Sequence, residues 1–569
     1  MKRNAIKFSD YKLVVPNIKK FAAKMEEFIK ELTACKNADE AAKVIKKLNK
    51  YNSKIETQAS IIYVLYSCDT TNKKYAKAQN YLDEVSPTFS KYSQDVTKLL
   101  ANAPYRADLE KKFGSFLFKK YDISLKTFDE KIMPELMQIN KLSSEYDLIF
   151  GSAQISFRGE TLNLSQLGKY LQDSDRETRR EAAKAMDKWL GENEKRIGEI
   201  YGELVLLRDT MAKKLGYKSF TELGYYMLGR TDYNADMVKV YREQIAREVV
   251  PVCNKLYKQQ MKNLGIKNPQ YFDYNLMFKS GNPKPAGDPK YLVEQAQKMY
   301  ADLGPESKEF FDFMVKYELM DLEARKGKAP GGYCTFFPEY KSPFIFSNFN
   351  GTQGDVNVLC HEGGHAFQAY LSSSIKVPEL MNPTLEACEI HSMSMEFFAW
   401  PYAEKFFGKD AEKYKYLHLS DAIEFLPYGI TVDEFQHWVY EHPNATHEER
   451  CAFWKTLEQK YTPHKKFDDT PTYAKGTIWL RQSHIFATPF YYIDYTLAQV
   501  CAFQFFVEMR KNHAKTWKKY IKLCKFGGQA AFVGLLEHNH LRNPFEQGNV
   551  EKVIKPLVKI LKEFDTSKF

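Results

Sequence analysis

His361-Glu362-Gly363-Gly364-His365 is the stretch around which the chain is organised. Two histidines four apart lie on one face of a helix, about one turn from each other, so both imidazoles can reach one metal ion. The glutamate between them is placed to take a proton from a water at that metal. Val356, Leu359, Gly363, Phe367 and Tyr370 recur at helical spacing and give this helix a buried side. Each of its two inner glycines costs a helix about 1 kcal/mol relative to alanine, so the tandem pair predicts close approach of a substrate or a neighbouring backbone. A structural zinc site would want four protein ligands, and the sequence contains no CxxC pair. Two histidines, one further ligand and an open position fit a catalytic site.

The third ligand is expected on a helix running from Leu385 to Glu396, after a loop marked by Pro378 and Pro383. Glu389, Ser392 and Glu396 fall on one face of that helix at steps of three and four, which nominates Glu389 as the ligand. Glu386 and His391 are its rivals, each about a quarter turn or more from the centre of that face. Glu396 is a candidate to hold a ligand histidine from behind, and Asp355 is a second candidate for that role.

With these residues in place the sequence resembles the zinc oligopeptidases typified by thimet oligopeptidase and oligoendopeptidase F. The likeness is wider than the motif. Pro343-Phe344-Ile345-Phe346-Ser347-Asn348-Phe349-Asn350-Gly351-Thr352 leads through Asp355-Val356 into it, and Glu389-x-x-Ser392-x-x-x-Glu396 matches the third-ligand helix of that family. His484-Ile485-Phe486-Ala487-Thr488-Pro489-Phe490-Tyr491-Tyr492-Ile493-Asp494-Tyr495 is similar to its His/Tyr substrate segment. Gly363 departs from the family, where relatives often carry a larger apolar residue. The resemblance implies a mainly α fold of two helical lobes flanking a deep substrate channel, with a small β-sheet beside the zinc site. It also implies one Zn2+ per chain and an endopeptidase acting on short unstructured oligopeptides. His361, His365 and Glu389 would hold the zinc, and Glu362 would act as general base. Tyr495, then Tyr492 and His484, are candidate donors to the oxyanion.

The rest of the chain is compatible with this. Its 569 residues, 44% of them hydrophobic, allow several domains or one large lobed one. The expected division is an N-terminal helical lobe over residues 1–145 and a catalytic region over 146–569. The net charge of +11 is spread through many lysines and does not specify nucleic acid, for which no helix-turn-helix, RNP-like or zinc-finger signature is present. Nine scattered cysteines read as reduced thiols of a cytoplasmic protein. Met1 to Lys7 starts no hydrophobic signal region, and no stretch of about 18 apolar residues is available to span a membrane. All 12 histidines lie at or after His361, so imidazole chemistry belongs to the later part.

Taken in order, residues 16–101 read as helices, with breaks at Asn72 to Lys74 and at Pro87, and Pro134 lies near a further helix start. Gln154 to Leu164 alternates about Arg158-Gly159, the pattern of a β-hairpin. Asp173-Ser174-Asp175 offers caps for a helix to about Leu215, with Gly191 a weak point and Gly216 an end. Gly281 to Asp288 reads as a loop. Lys328 to Phe337 and Ser342 to Phe349 read as extended, with Gly331, Gly332 and Tyr333 candidates to meet a peptide that adds to the sheet edge. His437, His442 and His447 lack ligand spacing. Two alternatives stay open at this level: a dipeptidyl carboxypeptidase, which needs a cation for the substrate's C-terminal carboxylate, and a non-enzymatic helical peptide-binding protein.

Overall fold

Asn17, Asn37 and Asn72 each accept backbone N–H bonds with their side chains, and each starts a helix: Ile18–Ala34, Ala38–Cys68 and Lys73–Ala101. A computed structural model describes residues 4–569, so Met1 to Arg3 of the expected non-signal start lie outside the described residues. The chain forms two compact units, each assembled from three segments. The first takes residues up to 126, 284–409 and 505–541; the second takes 127–283, 410–504 and 542–569. The mainly helical architecture expected from the sequence is the observed one, with two small sheets.

In the first unit the three opening helices bury Phe21, Met25, Phe28, Leu32, Val44, Leu48, Val96 and Leu100 in one core with Leu109 and Phe118. Pro87 does not break its helix, contrary to expectation. Proline removes the bond to the carbonyl four residues back, and the Ser86 hydroxyl takes that Asp83 carbonyl instead, at 3.1 Å. Strands β1 (Ile155–Phe157) and β2 (Glu160–Leu162) belong to the second unit and pair antiparallel. Arg158 and Gly159 both have positive φ, 50° and 86°, as the tightest right-twisting hairpin turn requires.

The second sheet lies in the first unit: β3 (Met320–Glu323), β4 (Tyr333–Phe337) and β5 (Ser342–Phe349) in the order β3-β5-β4. β5 is central and almost wholly buried, parallel to β3 and antiparallel to β4, with Tyr333 opposite Phe346 and Phe337 opposite Ser342. β4 is therefore an edge strand. The sequence pointed to β4 and β5 but not to the short β3.

In the second unit the helix Arg176–Lys214 starts at the Asp175 cap and runs through Gly191. A Cβ at Gly191 would stand 2.8 Å from Thr472 Oγ1, so this glycine marks a close contact and not a weak point. The loop at Gly281 to Asp288 is where the chain leaves one unit for the other, between Pro283 and Lys284. No helix among the described residues is long and apolar enough to cross a membrane.

Candidate active site

The motif residues lie on the helix Gly354–Ser372, which packs on β4, β5 and the helix Leu385–Phe398. Gly364 allows the last of these contacts. A Cβ at Gly364 would stand 2.7 Å from the His391 carbonyl oxygen and 2.7 Å from Ser392 Cα, so the two helix backbones meet there. A Cβ at Gly363 would stand 2.3 Å from the Tyr300 hydroxyl. That space is taken by a buried tyrosine of the helix Pro289–Leu303.

This close approach brings the ligand candidates together. His361 Nε2 lies 3.2 Å and His365 Nε2 3.4 Å from the same Glu389 Oε2. One ligand atom from each of the three residues lies within 4.8 Å of the others, and among the described residues this is the one such group. The Ser392 hydroxyl donates to Glu389 Oε2 at 2.9 Å, and His361 Nδ1 donates to Glu396 Oε1 at 2.8 Å. Burial disfavours a charged His361, but its bonds to Glu389 and Glu396 outweigh burial and hold its pKa well above the ordinary value. Burial likewise opposes the Glu389 carboxylate, and the two histidines hold its pKa well below the usual range. With Nδ1 donating to Glu396, the lone pair of His361 Nε2 faces a carboxylate oxygen. Two such acceptors at 3.2 Å repel unless a proton or a cation lies among them. Two imidazoles and one carboxylate, converging and held from behind, are a donor set suited to zinc.

The other candidates take definite places. Glu362, one residue from the first histidine, is buried, and burial raises its carboxyl pKa while the two histidines lower it. Asp355 does not join the histidines: it accepts from the Asn350 and Gly351 amides at 2.9 and 2.8 Å and closes the loop before the helix. His391 turns its Nδ1 to the Ala387 carbonyl at 2.7 Å, and burial pushes its pKa down to about 4. Glu386 is buried outside the three-ligand group.

Gly331 has a φ of 88°, which glycine adopts freely, and the Asn348 amide donates to its carbonyl at 2.9 Å. A Cβ on Gly332 would lie 3.4 Å from the Phe346 carbonyl oxygen. Tyr333 opens β4 and stacks on Phe346 at 4.8 Å. Lys328, which sequence reasoning passed over, anchors this turn: its Nζ donates to Asp321 Oδ1 at 2.8 Å and to the Glu323 carbonyl at 2.8 Å.

In the second unit Tyr492 and Tyr495 lie on the helix Tyr492–Lys511, with ring centroids 5.7 Å apart. The His484 ring lies 5.0 Å from Tyr492 and 5.7 Å from Tyr495, so the three form one cluster. Gln482 Nε2 holds His484 Nδ1 at 2.7 Å. Asp494 points away from them to Arg230, which donates to its Oδ1 and to the Phe490 carbonyl, both at 2.6 Å. Phe490 has a φ of 66°, and Gln436 accepts its amide proton at 2.7 Å. Arg230, Gln436 and Gln482 fix this segment from positions far away in sequence or without a motif, and no local signal marks them.

Comparison with known proteins finds relatives along most of the chain. The model for the peptidase M3 N-terminal domain matches residues 8–128, and that for peptidase family M3 matches residues 169–553. An oligoendopeptidase F homolog of Borreliella burgdorferi is 24% identical over 556 residues, covering 89% of this chain and 90% of its own. The structure of PZ peptidase A with an inhibitor is similar with a TM-score of 0.95 and 46% identity, over 99% of this chain and 100% of that one. Oligoendopeptidase F from Enterococcus faecium, at 14% identity and a TM-score of 0.62 over 96% of this chain and 98% of its own, shares the fold.

Proposed function

We propose that this chain, which belongs to peptidase family M3 and is a metallopeptidase of the oligoendopeptidase kind, cuts short unstructured peptides at a zinc held by His361, His365 and Glu389. The observation that carries the reading is the convergence of two Nε2 atoms on one Glu389 oxygen. When bound, zinc supplies a Lewis acid that acidifies water and polarises the scissile carbonyl.

The chain's own residues do the rest. Glu362 takes the proton of the attacking water and passes it to the leaving amine, and its upward-shifted pKa suits a base that must also give the proton back. Glu396 orients His361, and Ser392 orients Glu389. Tyr495 donates its phenol proton to the carbonyl oxygen as charge develops there, with Tyr492 and His484 the next candidates. The free edge of β4, with Gly331 and Gly332 at its start, receives the peptide backbone as a further strand. Nine cysteines, none of them in a disulfide, fit a reducing compartment, and we place the enzyme in the cytoplasm.

The test is zinc content per chain, together with cleavage of a quenched fluorescent peptide before and after chelation. One zinc per chain, with activity lost on chelation and restored by zinc, is expected. Full activity in metal-free protein would overturn the reading.

A further inference from the structure

The aromatic cluster around Tyr492 continues onto a pair of cations that no carboxylate meets. Tyr428, on the helix Ala411–Glu441, packs edge-on against Tyr492 with centroids 5.8 Å apart. Its hydroxyl donates to Gln482 Oε1 at 2.8 Å, and the same Gln482 holds His484. Lys465 Nζ stands over the Tyr428 ring, 5.3 Å from its centroid. Arg481, next to Gln482 in the chain, donates from Nη1 to the Tyr473 hydroxyl at 3.1 Å, and its charge is felt at Tyr428. All of these residues belong to the second unit.

Lys465 and Arg481 are half-buried, and the fully buried arginines described in this unit have oxygen partners. Arg179 meets Asp273, Arg230 meets Asp494 and Arg242 meets Asp433. Arg208 and Arg450 donate to backbone carbonyls. Among the described residues Lys465 Nζ has neither a hydrogen bond nor an ion pair, and Arg481 has only the tyrosine. Glu458 attracts Lys465 without pairing with it, and burial pushes its own carboxyl up to about 7. Lys465 is half-buried, and burial pushes its ammonium down. A carboxylate arriving from solution would give this ammonium the partner it lacks and form charge-assisted bonds.

We propose that Lys465 and Arg481 form a subsite for a carboxylate of the bound peptide, beside Tyr428 and one ring beyond Tyr492. The inference rests on the reading of His484 and Tyr492 as substrate-facing. Two sources share this chemistry: the C-terminal carboxylate of a short peptide, and an acidic side chain. Recognition of a chain end would favour short peptides over long ones.

Three labelled peptides without other acidic groups distinguish the sources: a free acid, its C-terminal amide, and the amide with one glutamate replacing glutamine. Their affinities are measured by fluorescence anisotropy on full-length zinc-loaded Glu362→Gln protein, which leaves the peptides uncut, and kcat/KM is measured on the wild type. The free acid or the glutamate peptide is expected to exceed the plain amide about tenfold or more in both measurements. In Lys465→Gln that ratio is expected to fall to within about twofold of one, with thermal unfolding checking the fold of the variant. Which peptide gains identifies the source. Equal affinities for all three in a protein that still binds and cuts them would overturn the subsite and leave the peptidase reading standing, and this comparison needs no change at Lys465. A preference undiminished in folded Lys465→Gln would also overturn it. Peptides neither bound nor cut by the zinc-loaded protein would overturn the underlying reading, and the subsite with it.

Discussion

His361 donates its Nδ1 proton to Glu396 Oε1 across 2.8 Å, from the motif helix to the helix that also carries Glu389. A carboxylate can only accept, so this bond fixes the tautomer and leaves the Nε2 lone pair free for a metal. One helix face thus supplies both a ligand and the group that aims another ligand. Changing Glu396 to glutamine keeps the shape and removes the charge. Metal affinity is expected to fall about ten- to hundredfold, read by competition with a chelator of known affinity. Unchanged affinity would mean that Glu396 orients nothing.

Glu389 and Glu386 lie three residues apart on the same helix, yet only Glu389 joins the histidines. Glu389→Ala is expected to lose zinc on dialysis, whereas Glu386→Ala is expected to retain it. Equal retention by both variants would place the third ligand elsewhere.

Gly364 meets the backbone at His391 and Ser392, where no flexible side chain can move aside. Alanine there would gain about 1 kcal/mol of helix propensity but force the helices apart, at a cost of about 1–3 kcal/mol. A lowered melting temperature with weakened metal binding is expected for Gly364→Ala. Gly363→Ala faces the Tyr300 hydroxyl instead, so shortening that neighbour in Gly363→Ala/Tyr300→Phe is expected to recover part of the loss. Thermal unfolding of the three variants checks both statements.

Tyr495→Phe separates a catalytic phenol from a packing one. Removal of one oxyanion donor costs about a hundredfold to a thousandfold in turnover, and a donor that acts in the transition state leaves KM nearly unchanged. That pattern, with zinc retained, is expected. Unchanged kcat with a lowered melting temperature would return Tyr495 to a packing role and make Tyr492 or His484 the donor to test.

The legible parts of the fold were those that local spacing encodes. Four-residue spacing placed His361 and His365 on one face, three- and four-residue steps put Glu389, Ser392 and Glu396 on another, and the tandem glycines signalled a close approach, which Gly364 makes to the backbone at His391 and Ser392. The hairpin at Arg158-Gly159 and the cap at Asp175 were legible for the same reason. What spacing cannot encode is which distant segment arrives. Pro87 looked like a break because its compensation, the Ser86 hydroxyl on the Asp83 carbonyl, is a side-chain bond and not a pattern. Gly191 looked weak because Thr472 lies far along the chain. Asp355 looked like a partner for a histidine by position, but the loop amides before its helix claim it first. Arg230, which braces the turn before Tyr492, and Lys465, which stands over Tyr428, belong to no motif and acquire meaning only from tertiary neighbours.

The most direct measurement is made on one preparation of Glu362→Gln: zinc per chain by elemental analysis, and turnover of a quenched fluorescent peptide. Glutamine keeps the size of the side chain and cannot accept the water proton. One zinc per chain with almost all turnover lost is the expected result. Turnover near that of the wild type at full zinc occupancy would contradict the assignment of Glu362 as the base on which the proposed mechanism depends.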